Sequence, residues 1–140
     1  METISSSEQQ TLNLARDLAH ALRFPAHILL YGDLGAGKTL FTKGLVEAFG
    51  GDPDEVSSPT FTLINQYGGT ARIYHIDLYR IETGALTGLG LEDIFDDPGA
   101  VVIVEWAERL GSFETPGATE VFLSYVDEHS RKIKICPSSF

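Results

Sequence analysis

Two hydrophobic rhythms run along the chain: apolar positions recurring every three or four residues, and short runs that are apolar throughout. Leu14, Leu18, Ala21 and Leu22 recur at helical spacing and predict a helix over residues 6–23. Ser7 is its expected N-cap, and Pro25 lies just past its end. His27–Tyr31 is a compact apolar run followed by turn residues, which predicts a buried strand. Lys38–Phe49 then reads as a helix closed by Gly50 and Gly51. Residues 50–60 are rich in Gly, Pro, Asp and Ser and read as a loop. Phe61–Tyr67 and Ala71–Leu78 read as two strands joined across Gly68 and Gly69. Residues 82–96 are expected to be helical in part, interrupted by Gly84, Gly88 and Gly90. Val101–Glu105 is a second apolar strand, and Ala107–Leu110 a helical turn. Val121–Val126 and Lys132–Cys136 form a closing hairpin around Asp127-Glu128-His129-Ser130. The order is αβαβββ-like with two central apolar strands, which predicts an α/β sandwich.

At 140 residues the chain has the length of one domain, spanning residues 1–140. It shows no internal repeat and no low-complexity tract. Its net charge is −10, with 4 basic and 8 acidic residues in the first seventy and 6 and 12 in the rest. No half is basic, so unaided tight binding to bulk nucleic acid is disfavoured, whereas a small phosphate ligand held by local backbone donors is not. Cys136 is the only cysteine, so no intrachain disulfide forms, which suits a reducing cytosol. Ile28–Tyr31 and Ala100–Val104 fall far short of the ~20 apolar residues that span a bilayer. The first ten residues have neither the basic region nor the apolar run of a signal peptide. A cytoplasmic protein without membrane attachment is expected.

Gly32-Asp33-Leu34-Gly35-Ala36-Gly37-Lys38-Thr39 satisfies G-x-x-x-x-G-K-[ST], between a predicted strand and a predicted helix. Glycines let the backbone wrap closely and aim its N–H groups at phosphate oxygens. The helix starting near Lys38 adds the positive end of its dipole. Lys38 is placed to reach the β- and γ-phosphates, Thr39 to ligate Mg²⁺, and Leu40 follows on the first helical turn. A second carboxylate is needed near the metal. Glu105, ending Val101–Glu105, and Asp77, ending Tyr74-His75-Ile76-Asp77, both lie at the carboxyl ends of predicted strands, where open α/β sheets place their sites. Strand alternation puts His75 and Asp77 on one face and Tyr74, Ile76 and Leu78 on the other. Thr60, in Ser58-Pro59-Thr60-Phe61, is either a sensor of the γ-phosphate or part of a turn set by Pro59. His20, His27 and His129 show no metal-ligand spacing. Trp106 is expected to pack near the site, and Arg131-Lys132-Ile133-Lys134 to form the wet face of a strand.

GDLGAGKT, SPTFTL, YHIDLYR, GLGLEDIF and VEWAE follow one another at short spacing. In this combination the chain, over about residues 7–127, resembles the TsaE (YjeE) family, small bacterial ATPases of tRNA threonylcarbamoyladenosine biosynthesis. The resemblance implies a P-loop NTPase-like three-layer sandwich with a mixed central sheet, forming a single P-loop ATPase domain. It implies ATP and Mg²⁺ at Lys38 and Thr39, a switch-like loop at Thr60, and Asp77 and Glu105 as acidic site residues. Trp106 would lie beside the nucleotide and Ser7 near the adenine. Family members act with TsaD and TsaB, which bind tRNA and carry out the transfer to adenosine 37, while TsaE hydrolyses ATP. Many relatives have Pro after the Trp, where this chain has Ala107. The acidity of the chain agrees with leaving the RNA to its partners. Two other readings are a small nucleotide kinase and a non-hydrolysing nucleotide switch or adaptor. A kinase needs clustered arginines, and Arg16, Arg23, Arg72, Arg80, Arg109 and Arg131 are scattered. A GTP switch needs N-K-x-D, which is absent, and Asp96-Asp97-Pro98-Gly99 precedes a strand rather than ending one. With so few arginines, the expected ATPase is weak alone and completed by a partner.

Overall fold

The computed structural model describes residues 1–33, 36–56, 63–69 and 71–137. Seven strands form one mixed sheet: β1 (Glu2–Ser5), β2 (Ala26–Tyr31), β3 (Ile64–Tyr67), β4 (Arg72–Asp77), β5 (Ala100–Glu105), β6 (Thr119–Tyr125) and β7 (Arg131–Cys136). Their spatial order is β1-β7-β6-β2-β5-β4-β3. β2 runs parallel to β5 and β6, and β4 parallel to β5, while the outer pairs β1–β7, β6–β7 and β3–β4 are antiparallel. The centre is parallel because β5 is apolar on both faces: every residue from Ala100 to Glu105 is buried.

Strand alternation divides the core in two. Ile28, Leu30, Ile73, Val101 and Ile103 face helices α1 (Glu8–Ala21) and α2 (Lys38–Ala48), meeting Ala15, Ala19, Phe41 and Leu45. Leu29, Ile76, Val102 and Val104 face the other way, toward Leu91 on the short α3 (Leu91–Asp96) and Ala107 and Leu110 on the 3-10 turn Ala107–Leu110. His75, Asp77 and Glu105 continue the parity of Ile73, Val101 and Ile103, so all three belong to the α2 side.

Ser7 caps α1 as expected, its side chain accepting from the Gln10 N–H at 3.1 Å. The helix itself is shorter than residues 6–23. One strand is added, and the helical part of residues 82–96 narrows to α3. β1 was not anticipated: only Ser5 is buried in it, and it exists by pairing with β7 at the sheet edge. Residues 82–90 form turns rather than helix, because Gly84, Gly88 and Gly90 take positive φ. Phe61 and Thr62, expected to begin a strand, lie outside the described residues. Among the described residues, no helix is long and apolar enough to cross a membrane.

Candidate functional site

The loop after β2 opens at Gly32, which must be glycine. A Cβ there would stand 2.5 Å from the Leu123 carbonyl oxygen and 3.2 Å from the Ala36 Cβ. Leu34 and Gly35 lie outside the described residues, as does Thr60. Ala36 turns into the core, and Gly37, in the left-handed conformation, is the N-cap of α2. Lys38 is only 6% exposed. Its ammonium donates to the carbonyls of Gly32 and Asp33 and stands 4.0 Å from the centroid of the Trp106 ring. Burial lowers its pKa, and Glu105, Glu108, Asp77 and Asp33 oppose that shift.

Asp77 and Glu105 are register partners on adjacent parallel strands, and both are buried. The Tyr79 N–H donates to Asp77 Oδ1 at 2.9 Å. Burial pushes the Asp77 carboxyl above its ordinary range; the Tyr79 bond opposes this and the Glu105 charge adds to it. Glu105 Oε2 is bonded to Nε2 of His75, whose Nδ1 lies 2.9 Å from the Tyr67 hydroxyl. Trp106 follows at φ 57°, the one positive φ outside glycine among the described residues. Its ring lies 5.0 Å from that of Tyr79. Arg109 donates to the carbonyls of Tyr79 and Ile81, at 3.3 and 2.6 Å, and so pins the segment after β4 to the turn after β5.

These groups converge on one cavity of about 610 Å³, a volume in the range of small-molecule sites. Asp33, Gly37, Lys38, Thr39, Leu40, Asp77, Glu105, Trp106 and Ser7 all line it. Gly32 contributes through the carbonyl that Lys38 binds. Thus the structure brings together the sequence candidates that it describes, apart from Ala36 beneath the surface. The Thr39 hydroxyl with the Asp77 and Glu105 carboxylates could hold a divalent cation. Among the described residues, no three His, Cys, Asp or Glu side chains form a metal cage.

The far wall was missed. Thr11 lines the cavity from α1, and Glu128, His129 and Arg131 from the turn and strand that close the last hairpin. Arg131 corrects the wet-face expectation: only Lys132 and Lys134 are exposed, whereas Arg131 shares the parity of Ile133 and Ile135. Its guanidinium donates to the carbonyls of Asp127 and Ser130 at 2.7 and 2.9 Å. Period-two spacing from Ile133 was the available signal. Arg80, by contrast, is exposed and does not line the cavity.

Residues 5–133 match the family model described as threonylcarbamoyl adenosine biosynthesis protein TsaE. The chain is 37% identical over 138 residues to the tRNA threonylcarbamoyladenosine biosynthesis protein TsaE of Rickettsia felis, covering 97% of this chain and 80% of that one. It is 40% identical over 137 residues to the protein of the same name from Nostoc sp., covering 94% and 83%. The crystal structure of YdiB from Bacillus subtilis superposes with a TM-score of 0.75 at 30% identity, over 99% of this chain and 86% of that one. The α/β fold with its seven-stranded mixed sheet is therefore shared with a solved structure, and the chain belongs to the TsaE family of threonylcarbamoyl adenosine biosynthesis proteins.

Proposed function

We propose that this protein is a Mg²⁺-dependent ATPase that supports threonylcarbamoyl transfer to adenosine 37 of tRNA, acting with TsaD and TsaB. The observation that carries the reading is the convergence of Asp33, Gly37, Lys38 and Thr39 with the paired carboxylates Asp77 and Glu105 on one cavity. In this reading the domain is a P-loop NTPase-like three-layer sandwich spanning residues 1–140. Backbone N–H groups of the loop and the start of α2 hold the phosphates. Lys38 exchanges its carbonyl partners for phosphate oxygens. Thr39 and Glu105 hold Mg²⁺, which when bound neutralises charge developing on the phosphates, and Asp77 is the neighbouring acid. Trp106 lies beside the nucleotide, and Ser7 and Arg131 line the end toward the base; Thr60, as the family resemblance implies, serves the γ-phosphate.

Arginine placement supports a weak ATPase completed by partners. Arg109 is committed to the carbonyls of Tyr79 and Ile81, and Arg80 lies away from the cavity. The one arginine lining the cavity, among the described residues, is held by the β6–β7 turn. An arginine finger supplied in trans is worth about 10³–10⁵-fold in rate. TsaD and TsaB carry the tRNA in this scheme, consistent with a net charge of −10 here. The lone Cys136 fits a cytoplasmic location. A single cavity-lining arginine also weighs against a nucleotide kinase.

The test is phosphate release from Mg²⁺-ATP by the protein alone and with TsaB–TsaD and tRNA. Slow hydrolysis that the partners accelerate is expected, with Lys38→Ala inactive in both settings. An unaltered rate on mixing, at concentrations where the complex forms, would refute partner activation. Near-normal turnover in Lys38→Ala would refute the loop assignment, and nucleotide binding without any hydrolysis would mark the protein as a switch or adaptor.

A further inference from the structure

We propose that His75 is a positioning residue for Glu105, holding that carboxylate against Asp77 through a directed chain of hydrogen bonds that begins at Tyr67. This inference rests on the ATPase reading for its kinetic consequence but not for its geometry.

The sheet register creates the problem that His75 solves. Asp77 and Glu105 face each other across adjacent strands with almost no exposure to water. Two carboxylates so placed repel, and their burial limits how far water screens them. Each needs a donor to stay. Asp77 has the Tyr79 N–H, fixed by the backbone. Glu105 has three rotatable side-chain bonds, and one of its oxygens is bonded to His75 Nε2.

His75 is suited to this by position and by burial. It pairs with Ile103, two residues before Glu105, and shares its face of the sheet. Its exposure is 0%, so its polar atoms must be satisfied by protein. Both ring nitrogens meet side chains rather than backbone: Nε2 meets Glu105 and Nδ1 meets Tyr67. A histidine needed only for packing leaves such an arrangement without a reason.

The direction of the chain follows from donor and acceptor chemistry. A carboxylate only accepts, so Nε2–H donates to Glu105. In the neutral ring Nδ1 is then the acceptor, so the Tyr67 hydroxyl donates to it. Tyr67 sits on β3, where Asn65 also interacts with its hydroxyl. Thus the edge hairpin fixes the phenol, the phenol fixes the tautomer, and the tautomer fixes one oxygen of Glu105. Each bond polarises the next. Similar outer partners of metal-site groups change affinity or activity by about 10- to 100-fold when removed.

The experiment compares wild type with His75→Leu, His75→Gln, Tyr67→Phe and the Tyr67→Phe/His75→Leu pair. Imidazole ¹⁵N NMR reads the tautomer directly, with the His75 signals identified by their loss in His75→Gln. The expected result is Nε2–H in wild type, with a signal that moves in Glu105→Gln and in Tyr67→Phe. Kinetics of Mg²⁺-ATP hydrolysis with partners present should show kcat falling about tenfold or more in His75→Leu. KM should stay within about twofold, and nucleotide affinity without Mg²⁺ should not change, because binding by the loop is untouched. His75→Gln keeps an N–H donor and should recover most of kcat. The double variant should be no slower than His75→Leu alone, since Tyr67 acts through His75. An Nδ1–H tautomer, or a His75 signal indifferent to Glu105→Gln, overturns the proposal. So does equal loss of kcat in the Gln and Leu variants, or loss that tracks only their thermal stability. If the wild type hydrolyses no ATP under any condition, the ATPase reading fails, and the NMR result alone decides the positioning of Glu105.

Discussion

Replacing Gly32 with alanine should damage this protein more than an alanine at any open-space glycine, and the structure gives the size of the effect. The added Cβ would lie 2.5 Å from the carbonyl oxygen of Leu123, on the strand that neighbours β2. That obstacle is backbone within a hydrogen-bonded sheet, so no flexible side chain can swing aside. Forcing a methyl into packed surroundings costs about 1–3 kcal/mol. The φ of +151° adds a backbone cost of about 1–3 kcal/mol for any residue with a Cβ. The sum, roughly 2–6 kcal/mol, is a large part of a typical domain's stability of about 5–15 kcal/mol. At about 3–4 °C per kcal/mol for a chain of this size, the unfolding midpoint should fall by roughly 6–24 °C. Gly88→Ala is the matched control: its φ is +86°, but nothing lies within 4 Å of the new Cβ. That variant carries only the backbone cost, about 1–2 kcal/mol. Thermal unfolding followed by circular dichroism separates the two. A Gly32→Ala protein melting within about 3 °C of Gly88→Ala would show that the contact with Leu123 does not fix this loop. Calorimetric titration with ADP adds the functional half. Because the loop that precedes Lys38 opens at Gly32, shifting its backbone should misplace Lys38 and the start of α2 and weaken binding by about tenfold or more, which is about 1.4 kcal/mol.

Two further outcomes follow from charge. Asp77→Asn removes one of two facing buried carboxylates, so the nucleotide-free protein should melt roughly 3–4 °C higher at neutral pH, for a gain of about 1 kcal/mol. Mg²⁺-dependent nucleotide binding should weaken less in this variant than in Glu105→Gln, and the reverse order would move the metal carboxylate to Asp77; a lower melting point would mean that the Tyr79 bond outweighs the repulsion. At the opposite end of β4, the Arg72 guanidinium, with help from the Gly99 N–H, holds the Asp97 carboxyl down to about 2 from an ordinary 3.8. A lowered folded-state value means stabilisation that is present above 3.8 and lost as pH falls toward about 2. The difference in melting point between wild type and Asp97→Asn should therefore vanish across that interval, and a difference persisting at its lower end would refute the assignment.

The parts of this fold that were legible in the sequence are those whose causes are local. Ser7 and the apolar spacing behind it specify α1, and an unbroken apolar run specifies β5, because cap and burial pattern are written in consecutive residues. β1 was illegible for the opposite reason. Its four residues bury almost nothing, and their backbone groups are satisfied by β7, more than a hundred residues away. In residues 82–90, Leu86 and Leu89 pack against the second core cluster at a spacing that suits a helix, but glycine conformation turns the chain instead. The site divides in the same way. Asp77 and Glu105 were visible as strand ends, yet nothing local says that β4 and β5 are neighbours, so their facing register needed the sheet. Arg131 was read as part of a wet face, and His129 was given no site role, because the closure of β7 onto β1 and β6, which carries their turn to the cavity, is a long-range event.

That closure gives the cavity two walls with different mechanical footing. The acidic wall hangs on β4 and β5, and β5 is buried at every position with a strand on each side. Opening it requires breaking the centre of the sheet, so its groups stay fixed for as long as the protein is folded. The opposite wall joins the start of α1 to the β6–β7 turn. It is tied by the β1–β7 ladder at the sheet edge and by the Met1 ammonium donating to the Ile135 carbonyl at 3.1 Å. An edge ladder with exposed side chains opens at far lower free energy than a central strand. The chemistry proposed for each wall matches its footing. In the proposed function the acidic wall would hold the Mg²⁺ that neutralises charge on the phosphates, and carboxylates already fixed in place by the buried strands suit that task. A base needs an apolar and polar surface that tolerates small shifts, and the paired termini of the chain supply that at the edge.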